Sequence, residues 1–331
     1  MIRTRFCELF GIDVPILQAA IWPATSPALV AAVSEAGGLG SIGAIFASAD
    51  EMREQIERVR ERTERPFAVN HVVPVLDEGA FEAALEARPA AVSFALGDPG
   101  GLVERAHDAG AKVIHQVHTV RQAREAAEHG VDVVIAQGSE AGGQGMAAGV
   151  GAMALVPQVV DAIAPVPVLV AGGVADGRGL AAGLVLGAAG ANVGTRFLAS
   201  EEAGADAAWK RLILDAESED AVRFEAWGAI MPAGGSGYDV VPRVIRTDFV
   251  AEWERRPDEA GRQAERLRGE IMASVEQRRP HELTPFSGQT VGMIRDVMPA
   301  AEIVRGMVAE AEDALERARR SASRERPAGS S

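Results

Sequence analysis

Two short apolar runs in the sequence end in glycine-rich turns whose residues could bind an anion. The segment VLVAGGVADGRG places Gly172–Gly173 after a run of apolar residues, and ANVGTRF places Gly194–Thr195 after another. Glycine lets the backbone approach a ligand closely, and free N–H groups at the start of a helix attract negative charge. The alternative is that these glycines only permit tight turns. Together, the two segments predict a phosphate-binding site.

A third glycine-rich segment, VIAQGSEAGGQG (residues 134–145), predicts contact with a planar ring. Four glycines fall within eight residues after an apolar run, at Gly138, Gly142, Gly143 and Gly145. Backbone donors of such a loop can surround the edge of a ring, and the carboxamide of Gln137 can hydrogen-bond a heterocycle. The alternative is a surface loop that binds nothing.

Regular elements must position these segments, and the chain from about residue 15 to 215 alternates short apolar runs with longer amphipathic ones. The apolar runs predict eight strands, at Pro15–Ala19, Gly38–Gly43, Phe67–His71, Ala91–Ala95, Lys112–Val117, Val131–Gln137, Val166–Ala171 and Ala191–Gly194. The amphipathic runs predict eight helices, at Ser26–Glu35, Ala49–Arg62, Glu78–Ala87, Gly101–Ala109, Val120–Glu128, Ala152–Ile163, Gly177–Leu186 and Ser200–Asp215. This α/β pattern predicts a (β/α)8 TIM barrel. A doubly wound open sheet is the alternative, because alternation alone does not show closure.

In a barrel of this kind the active face lies at the carboxyl ends of the strands. The residues at those positions are Gln18, Gly43–Ala44, Asn70–His71, the segment after Ala95, His115–His118, Gln137–Gln144, Gly172–Gly173 and Gly194–Thr195. Carboxamides and glycines dominate this set. The sequence has no Cys/His cluster with metal-ligand spacing and no readable Ser-His-Asp set, so we expect no metal site.

The alternation stops after residue 215. Residues 216–285 contain FEAWGAIMPAGGSGYDVVP and then a charged run that predicts exposed helices with Glu/Arg pairs. We therefore expect a first domain over residues 1–215, followed by a smaller, mostly helical cap or insert over 216–285, packed near the barrel mouth. Residues 286–321 should return to the barrel through SGQTVG and an amphipathic helix, and residues 322–331 should form a disordered tail.

Composition excludes several classes of protein. The chain has 331 residues, with 33 Lys and Arg against 47 Asp and Glu, and a formal net charge of −14. This balance disfavours nucleic acid as a partner, because phosphate backbones need a basic face. Cys7 is the only cysteine, so no intrachain disulfide forms. The sequence has no signal-peptide core and no apolar run long enough for a membrane span, so we expect a cytoplasmic soluble protein; a homodimer is compatible with the sequence.

Five segments, in order along the chain, resemble one family. They are ILQAAIWPATSPALVAAVSEAGGLGSIGA, PFAVN, VIAQGSEAGG, VLVAGGVADGRGLAAGLVLGAAGANVGTRFLASEE and SGQTVGMI. They are similar to the nitronate monooxygenases, formerly called 2-nitropropane dioxygenases, and flavin-dependent enoyl-ACP reductases look similar in the same segments. The resemblance covers about residues 5–310 with gaps. It implies an FMN-binding barrel with a smaller, mostly helical domain over its mouth.

The resemblance also implies roles for individual residues. Asn70, Gln137 and Gly142 match flavin-binding positions, and Gln18 would lie beside the isoalloxazine ring. The phosphate-binding positions correspond to Gly173, Asn192, Val193, Gly194 and Thr195, and Gly172 precedes them in the same turn. Gln289, in SGQTVG, matches a further motif position.

One position departs from the family pattern. The residue after EAGG is usually a histidine that acts as the catalytic base, and here it is Gln144. A carboxamide donates and accepts hydrogen bonds but cannot take a proton near neutral pH, so Gln144 cannot deprotonate a neutral nitroalkane. His71 and His118, which follow strands three and five, are candidates for a replacement base; the alternative is that both are structural.

The expected function is therefore an FMN-dependent oxidation of alkyl nitronates by O2, with Gln144 orienting the nitro group. A nitronate is already an anion and needs no base. One alternative is an NAD(P)H-dependent reductase of an enoyl thioester or a quinone, and another is a flavin-binding protein without catalysis. A non-flavin barrel enzyme such as a phosphosugar isomerase is a weaker alternative, because few strand-end residues are charged, although Glu140 is one.

Overall fold

The computed structural model describes residues 2–231 and 239–324, and a closed parallel barrel forms most of it. The strands are β1 (Ile16–Gln18), β2 (Gly40–Gly43), β3 (Phe67–Val72), β4 (Ala91–Ala95), β5 (Lys112–Val117), β6 (Val133–Gln137), β7 (Val168–Ala171) and β8 (Gly190–Val193). From β2 to β8 each strand pairs in parallel with the next, and β8 pairs in parallel with β1. A parallel bridge between Leu17 and Leu39 closes the ring. The predicted TIM barrel is confirmed.

Helices surround the barrel and cover the outer faces of its strands. They are α2 (Pro27–Glu35), α3 (Ala49–Arg60), α4 (Glu78–Glu86), α5 (Leu102–Asp108), α6 (Val120–Glu128), α7 (Ala152–Ile163) and α8 (Gly177–Val185), followed by α9 (Thr195–Leu198) and α10 (Ala207–Asp215). The prediction of one helix over Ser200–Asp215 was wrong at its start. Residues 201–204 are bends, and α10 begins only where the side chain of Asp206 accepts the backbone N–H of Trp209.

The amino-terminal helix α1 (Arg5–Phe10), which the sequence analysis did not predict, contributes to the core at the lower end of the barrel. Its buried side chains Phe6, Cys7 and Phe10 belong to one apolar cluster with Leu17, Leu39, Ala68, Ile114 and Leu169 from the strands. The lower end of the barrel is therefore filled with apolar side chains, and a ligand can enter only from the opposite end.

Residues 216–285, which we call the cap, contain a strand pair as well as helices. The pair is β9 (Ala221–Arg223) and β10 (Arg243–Ile245), and the helices are α11 (Trp227–Ile230), α12 (Asp248–Glu254), α13 (Pro257–Arg262) and α14 (Ala264–Glu276). Its core of Phe224, Trp227, Ile230, Trp253 and Ile271 also contains Ala95 and Leu96 from the end of β4. The cap therefore packs on the carboxyl end of the barrel. The exact division into domains stays a prediction.

The last segment returns to the barrel wall. A short turn at Gln289–Met293 precedes α15 (Ala300–Arg324), which packs against α8 so closely that a carboxylate oxygen of Glu310 accepts the N–H of Gly177. This helix extends through residues 322–324 of the expected tail, and residues 325–331 lie outside the described part of the chain. Within the described ranges, no helix combines the length and apolarity needed to cross a bilayer.

Candidate active site

A cavity lies inside the barrel at the carboxyl ends of the strands, and a ring of neutral polar side chains surrounds it. Six different strands contribute one member each to this ring: Ser41 (β2), Asn70 (β3), Ser93 (β4), Gln116 (β5), Gln137 (β6) and Asn192 (β8). The side chains of Asn70 and Ser93 are joined by a hydrogen bond of 2.8 Å from Nδ2 to Oγ. The ring offers donors and acceptors without a formal charge, which suits an uncharged heterocycle.

Gln18 lines the cavity but also completes the barrel. Its Oε1 accepts the backbone N–H of Ser41 at 3.0 Å, and its Nε2 donates to the carbonyl of Ala19. A side chain thus replaces main-chain hydrogen bonds where β1 and β2 separate. Gln18 is fully buried. Its hydrogen bonds stabilise the barrel, and the contact with the isoalloxazine ring that the resemblance implies would be a second role.

The glycine loop (residues 138–145) packs against the SGQTVG segment. A Cβ atom on Gly142 would overlap the backbone nitrogen of Gly288, so both positions need glycine for this contact. The Gly288 N–H donates to Oγ1 of Thr195 at 2.9 Å, and the Gln289 N–H donates to the carbonyl of Glu140 at 3.0 Å. The SGQTVG segment therefore joins the glycine loop to the end of β8.

Arg243 of the cap fixes the same loop from the other side. Its Nε and Nη2 donate to the carbonyl of Ser139 at 3.1 and 2.8 Å, and its Nη1 donates to the carbonyl of Ala221 at 2.5 Å. Its backbone exchanges two hydrogen bonds with Gly143. Burial, followed by the nearby Arg223, lowers the pKa of Arg243 below its ordinary value, but a guanidinium stays charged in proteins. This side chain couples the cap to the loop.

The turns after β7 and β8 both line the cavity, where the sequence predicts an anion site. Gly172 and Gly173 adopt left-handed backbone angles, with φ of 88° and 74°, which other residues rarely tolerate. The short helix α9 begins at Thr195 directly after Gly194, the arrangement that phosphate sites in these barrels use. The expectation that the helix after β7 also offers free N–H groups to the anion was wrong. Carboxylates of Asp176 and Glu310 already accept the first N–H groups of α8.

Ten predicted residues line this one cavity: Gln18, Asn70, Gln137, Gly142, Gln144, Gly172, Gly173, Asn192, Gly194 and Thr195. Val193 and Gln289 do not line it. The side chain of Val193 packs in the apolar layer outside the barrel, and Gln289 is exposed, with its backbone N–H bonded to the glycine loop. Their motif matches therefore reflect strand packing and loop contact in this structure.

The candidate histidine bases do not line the cavity either. His71 lies on the outer face of β3, where its ring packs edge-to-face against Phe81 of α4 with centroids 5.2 Å apart. His118 is buried behind the glycine loop, beside the backbone of Gln144. Burial lowers the pKa of both imidazoles to about 4, so both are neutral near pH 7. Neither histidine is placed to take a proton from a molecule in the cavity.

Gln144 and Glu140 of the glycine loop both line the cavity. The Gln144 carbonyl accepts Nε2 of Gln137 at 2.9 Å, which fixes the backbone of this residue. Glu140 is the only ionisable side chain among the described lining residues. Its two oxygens accept the N–H of Ala152 at 3.0 and 3.1 Å, at the start of α7. The one carboxylate is thus used as a helix cap.

Several residues that line the cavity were not predicted from the sequence. Gln116, Ser41 and Ser93 were detectable, because each is a polar residue at an inward position of an otherwise apolar strand. Trp22 and Phe286 were not, because they lie on loops whose path depends on the packing of the cap.

Observations on this structure allow a test of whether FMN fits. Oδ1 of Asn192 and Oγ of Ser287 are buried and have no partner among the described residues, and buried polar atoms without partners are uncommon. Oδ1 of Asn192 is an acceptor that a hydroxyl group can satisfy. The neutral ring suits the edge of a flavin, and the turns at Gly172–Gly173 and Gly194 suit its phosphate. The residues present therefore fit the group.

Comparison with known proteins agrees with this geometry. The family profile described as nitronate monooxygenase matches residues 3–310. A probable nitronate monooxygenase of Staphylococcus saprophyticus is 36% identical over 267 residues, which are 67% of this chain and 75% of the relative.

Two solved structures extend the similarity to the whole fold. FabK from Thermotoga maritima has a TM-score of 0.87 and 33% identity, covering 97% of this chain and 100% of the other. A nitroalkane oxidase from Streptomyces ansochromogenes has a TM-score of 0.79 and 29% identity, covering 95% of this chain and 99% of the other. These matches confirm the resemblance found in the sequence and make the protein an oxidoreductase. The chain belongs to the nitronate monooxygenase family.

Proposed function

We propose that the protein oxidises pre-formed alkyl nitronates with O2, using FMN bound in the barrel cavity. The observation that carries this proposal is the absence of a free base from the described cavity lining. Its one carboxylate, on Glu140, caps α7, and Gln144 stands at the position of the expected histidine. A cavity of this composition can orient an anion that already exists but cannot create one from a neutral carbon acid.

The chain's own residues account for cofactor binding. The turns at Gly172–Gly173 and Gly194–Thr195 would hold the phosphate through backbone N–H groups, as the short helix α9 also favours. Asn192 would accept a ribityl hydroxyl, and Asn70 and Gln137 would hydrogen-bond the edge of the ring system. Bound FMN would supply the electron transfer between nitronate and O2.

Gln144 has the main role toward the substrate. Its carboxamide N–H groups can donate to the two oxygens of a nitronate, and the hydrogen bond from Gln137 to its carbonyl keeps its backbone in place. In the overall balance, two nitronate anions and one O2 give two carbonyl compounds and two nitrite ions. No proton leaves carbon in this balance, so the lack of a base costs nothing for this substrate.

Oxygen consumption with matched substrates tests the proposal. The protein, purified with FMN, receives either an alkyl nitronate or the freshly dissolved neutral nitroalkane with the same carbon chain. We expect nitrite formation and a kcat/KM for the nitronate at least about 100-fold higher than for the nitroalkane, the size of a general-base contribution. Equal rates with both forms, or no oxidation of nitronate by the flavin-loaded protein, would overturn it.

The similarity to FabK from Thermotoga maritima favours one second candidate, reduction of an enoyl thioester or a quinone by NAD(P)H. An anaerobic titration separates it from nitronate oxidation. Rapid bleaching of the flavin by NADPH, followed by steady-state turnover of an enoyl thioester, would support the reductase. Reduction by nitronate but not by NADPH would support the oxidase reaction.

A further inference from the structure

A second pocket, almost entirely apolar, lies next to the cavity beside Gln144. We call it the side pocket; its lining includes Trp22, Phe46, Gln144, Trp227, Val275 and Phe286. Trp22, Ile45, Gln144 and Phe286 also line the main cavity, so the two spaces share a wall. The side pocket therefore adjoins the main cavity at Gln144.

The side pocket lies between the barrel and the cap. The loops after β1 and β2 contribute Trp22 and Phe46, whose rings meet edge-to-face with centroids 5.4 Å apart. The cap contributes Trp227, whose ring meets that of Phe286 at 5.6 Å. No lining residue in the described ranges is ionisable. A charged group in this pocket would lose its hydration without gaining a partner, whereas a hydrocarbon group would gain from leaving water.

Phe46 has a backbone conformation that is unusual for its size. Its φ is 57°, in the left-handed region, where an aromatic residue is strained. The residue is also 48% exposed, so burial of its ring in a core does not explain this conformation. Strained backbone is found preferentially at binding and catalytic sites, because the site requires the side chain in one position. Here the strain holds an aromatic ring at the rim of the side pocket.

We propose that the side pocket binds an uncharged hydrocarbon substituent of the substrate, so that the enzyme selects nitronates with an apolar chain or ring over nitronates that carry a second anionic group. This inference rests on the proposed nitronate oxidation and adds a substrate class to it. Gln144 contacts the nitro group, and the barrel and cap aromatic residues contact the carbon chain.

A substrate series gives the first test. The kcat/KM of the wild-type protein is measured with primary nitronates from ethyl to hexyl and with the nitronate of 3-nitropropionate, which adds a carboxylate to a short chain. We expect kcat/KM to rise by about threefold for each added CH2 group until the pocket is filled. The carboxylated nitronate should be at least about tenfold poorer than propyl nitronate. A flat series, or equal use of the carboxylated substrate, would overturn the inference.

Variants of α14 locate the effect. Val275→Phe fills the side pocket, and Met272→Phe is the matched control, because Met272 lies on the same helix but does not line the pocket. We expect V275F to lower kcat/KM for hexyl nitronate by about tenfold or more and to change kcat/KM for ethyl nitronate by less than about twofold. M272F should change neither value. V275R should improve the carboxylated nitronate relative to propyl nitronate. Equal losses for short and long chains in V275F would contradict the pocket assignment.

A binding readout keeps the inference separate from the proposed function. Bromine quenches tryptophan fluorescence on contact, and Trp22 and Trp227 line the pocket. We expect 6-bromohexan-1-ol to quench wild-type and M272F fluorescence saturably, with at least about fivefold weaker binding to V275F. Saturable quenching that V275F weakens, in a protein that oxidises no nitronate, would reject the nitronate reaction and retain the apolar subsite. Quenching that is unaffected by V275F would reject the subsite.

Discussion

The two ends of the cavity differ in composition: backbone groups form one end, and side chains form the other. At the end after β7 and β8, where we propose that the phosphate binds, the site consists mainly of backbone at Gly172–Gly173 and Gly194. At the mouth, the site consists of side chains: Gln144 from the glycine loop and aromatic rings from the barrel loops and the cap. Because the backbone angles at Gly172 and Gly173 strongly favour glycine, these positions tolerate few substitutions. The mouth can change one residue at a time, and there, at Gln144, the sequence resemblance predicts that this chain departs from the family pattern.

The largest effect that this contrast predicts is at the mouth. Gln144→His restores an imidazole where the family usually has one, so the variant should remove a proton from a neutral nitroalkane. We expect nitroalkane oxidation to increase by about 100-fold or more, while FMN affinity and nitronate oxidation stay within about threefold. Nitrite release from nitroethane at about pH 7 measures the gain, and flavin fluorescence measures FMN binding. No gain in a folded, flavin-loaded Q144H protein would show that Gln144 does not contact the substrate carbon.

In the glycine loop, where it packs on the SGQTVG segment, a single methyl group should be enough to disrupt the site. Gly142→Ala places a Cβ on the Gly288 backbone and should force the glycine loop away from the SGQTVG segment. We expect FMN affinity to fall by about tenfold to 100-fold, since overpacking costs about 1–3 kcal/mol. Gly145→Ala is the matched control, because its Cβ would make only an ordinary contact at 3.6 Å with the Val241 carbonyl. Similar FMN affinities for G142A and G145A would contradict the packing argument.

Arg243 allows a test of whether the two ends are independent. Arg243→Lys keeps the charge but cannot reproduce the donors to both Ser139 and Ala221, so the glycine loop should lose part of its support from the cap. We expect about tenfold weaker FMN binding and a higher KM for nitronate, with a smaller change in kcat. The reason is that the position of the glycine loop affects binding of FMN and substrate more than the chemical step. Isothermal titration with FMN and steady-state kinetics separate these quantities. A drop in kcat alone would instead place Arg243 in the reaction itself.

The same contrast explains how much the sequence could predict. The barrel and its strands were predicted almost to the residue, because apolar runs of strand length separated by amphipathic segments have few other solutions. The position of the turns after β7 and β8 at the cavity was predicted because their glycines are visible in the sequence, and phosphate binding there stays a prediction. Helix α1, the strand pair of the cap and the contribution of Trp22 and Phe286 were not predicted, because each depends on contacts between residues distant in the sequence.

The histidines show a similar limit. His71 follows Asn70 at the end of β3, and sequence position alone gives both residues to the active face. Adjacent residues in a strand point to opposite faces, however, so Asn70 faces the cavity and His71 faces Phe81. Alternation was available in the sequence and would have separated the two. The position of His118 behind the glycine loop was not, because the loop path decides it.

The smallest predicted effect lies outside the cavity, at His71. Burial lowers its folded-state pKa to about 4, below the value of about 6.5 expected in the unfolded chain. The unfolded chain therefore binds more protons at moderately acid pH, and the free energy of unfolding should decrease as the pH falls from about 6.5 toward 4. His71→Phe removes this titration and also a buried Nε2 that has no hydrogen-bond partner. We expect H71F to gain about 1 kcal/mol of stability at pH 5 and less at pH 7.

Urea unfolding of wild-type and H71F protein at both pH values measures this difference. His115 has a similarly lowered pKa, near 4, through burial, with its Nδ1 at 3.2 Å from the Phe94 carbonyl, so part of the acid sensitivity should remain in H71F. If H71F instead loses nitronate oxidation with unchanged stability, His71 contacts the substrate. The assignment of His71 to the outer face of β3 would then be wrong. Retained oxidation with a flatter pH profile of stability would confirm that the His71 imidazole affects the stability of the fold and takes no part in the reaction.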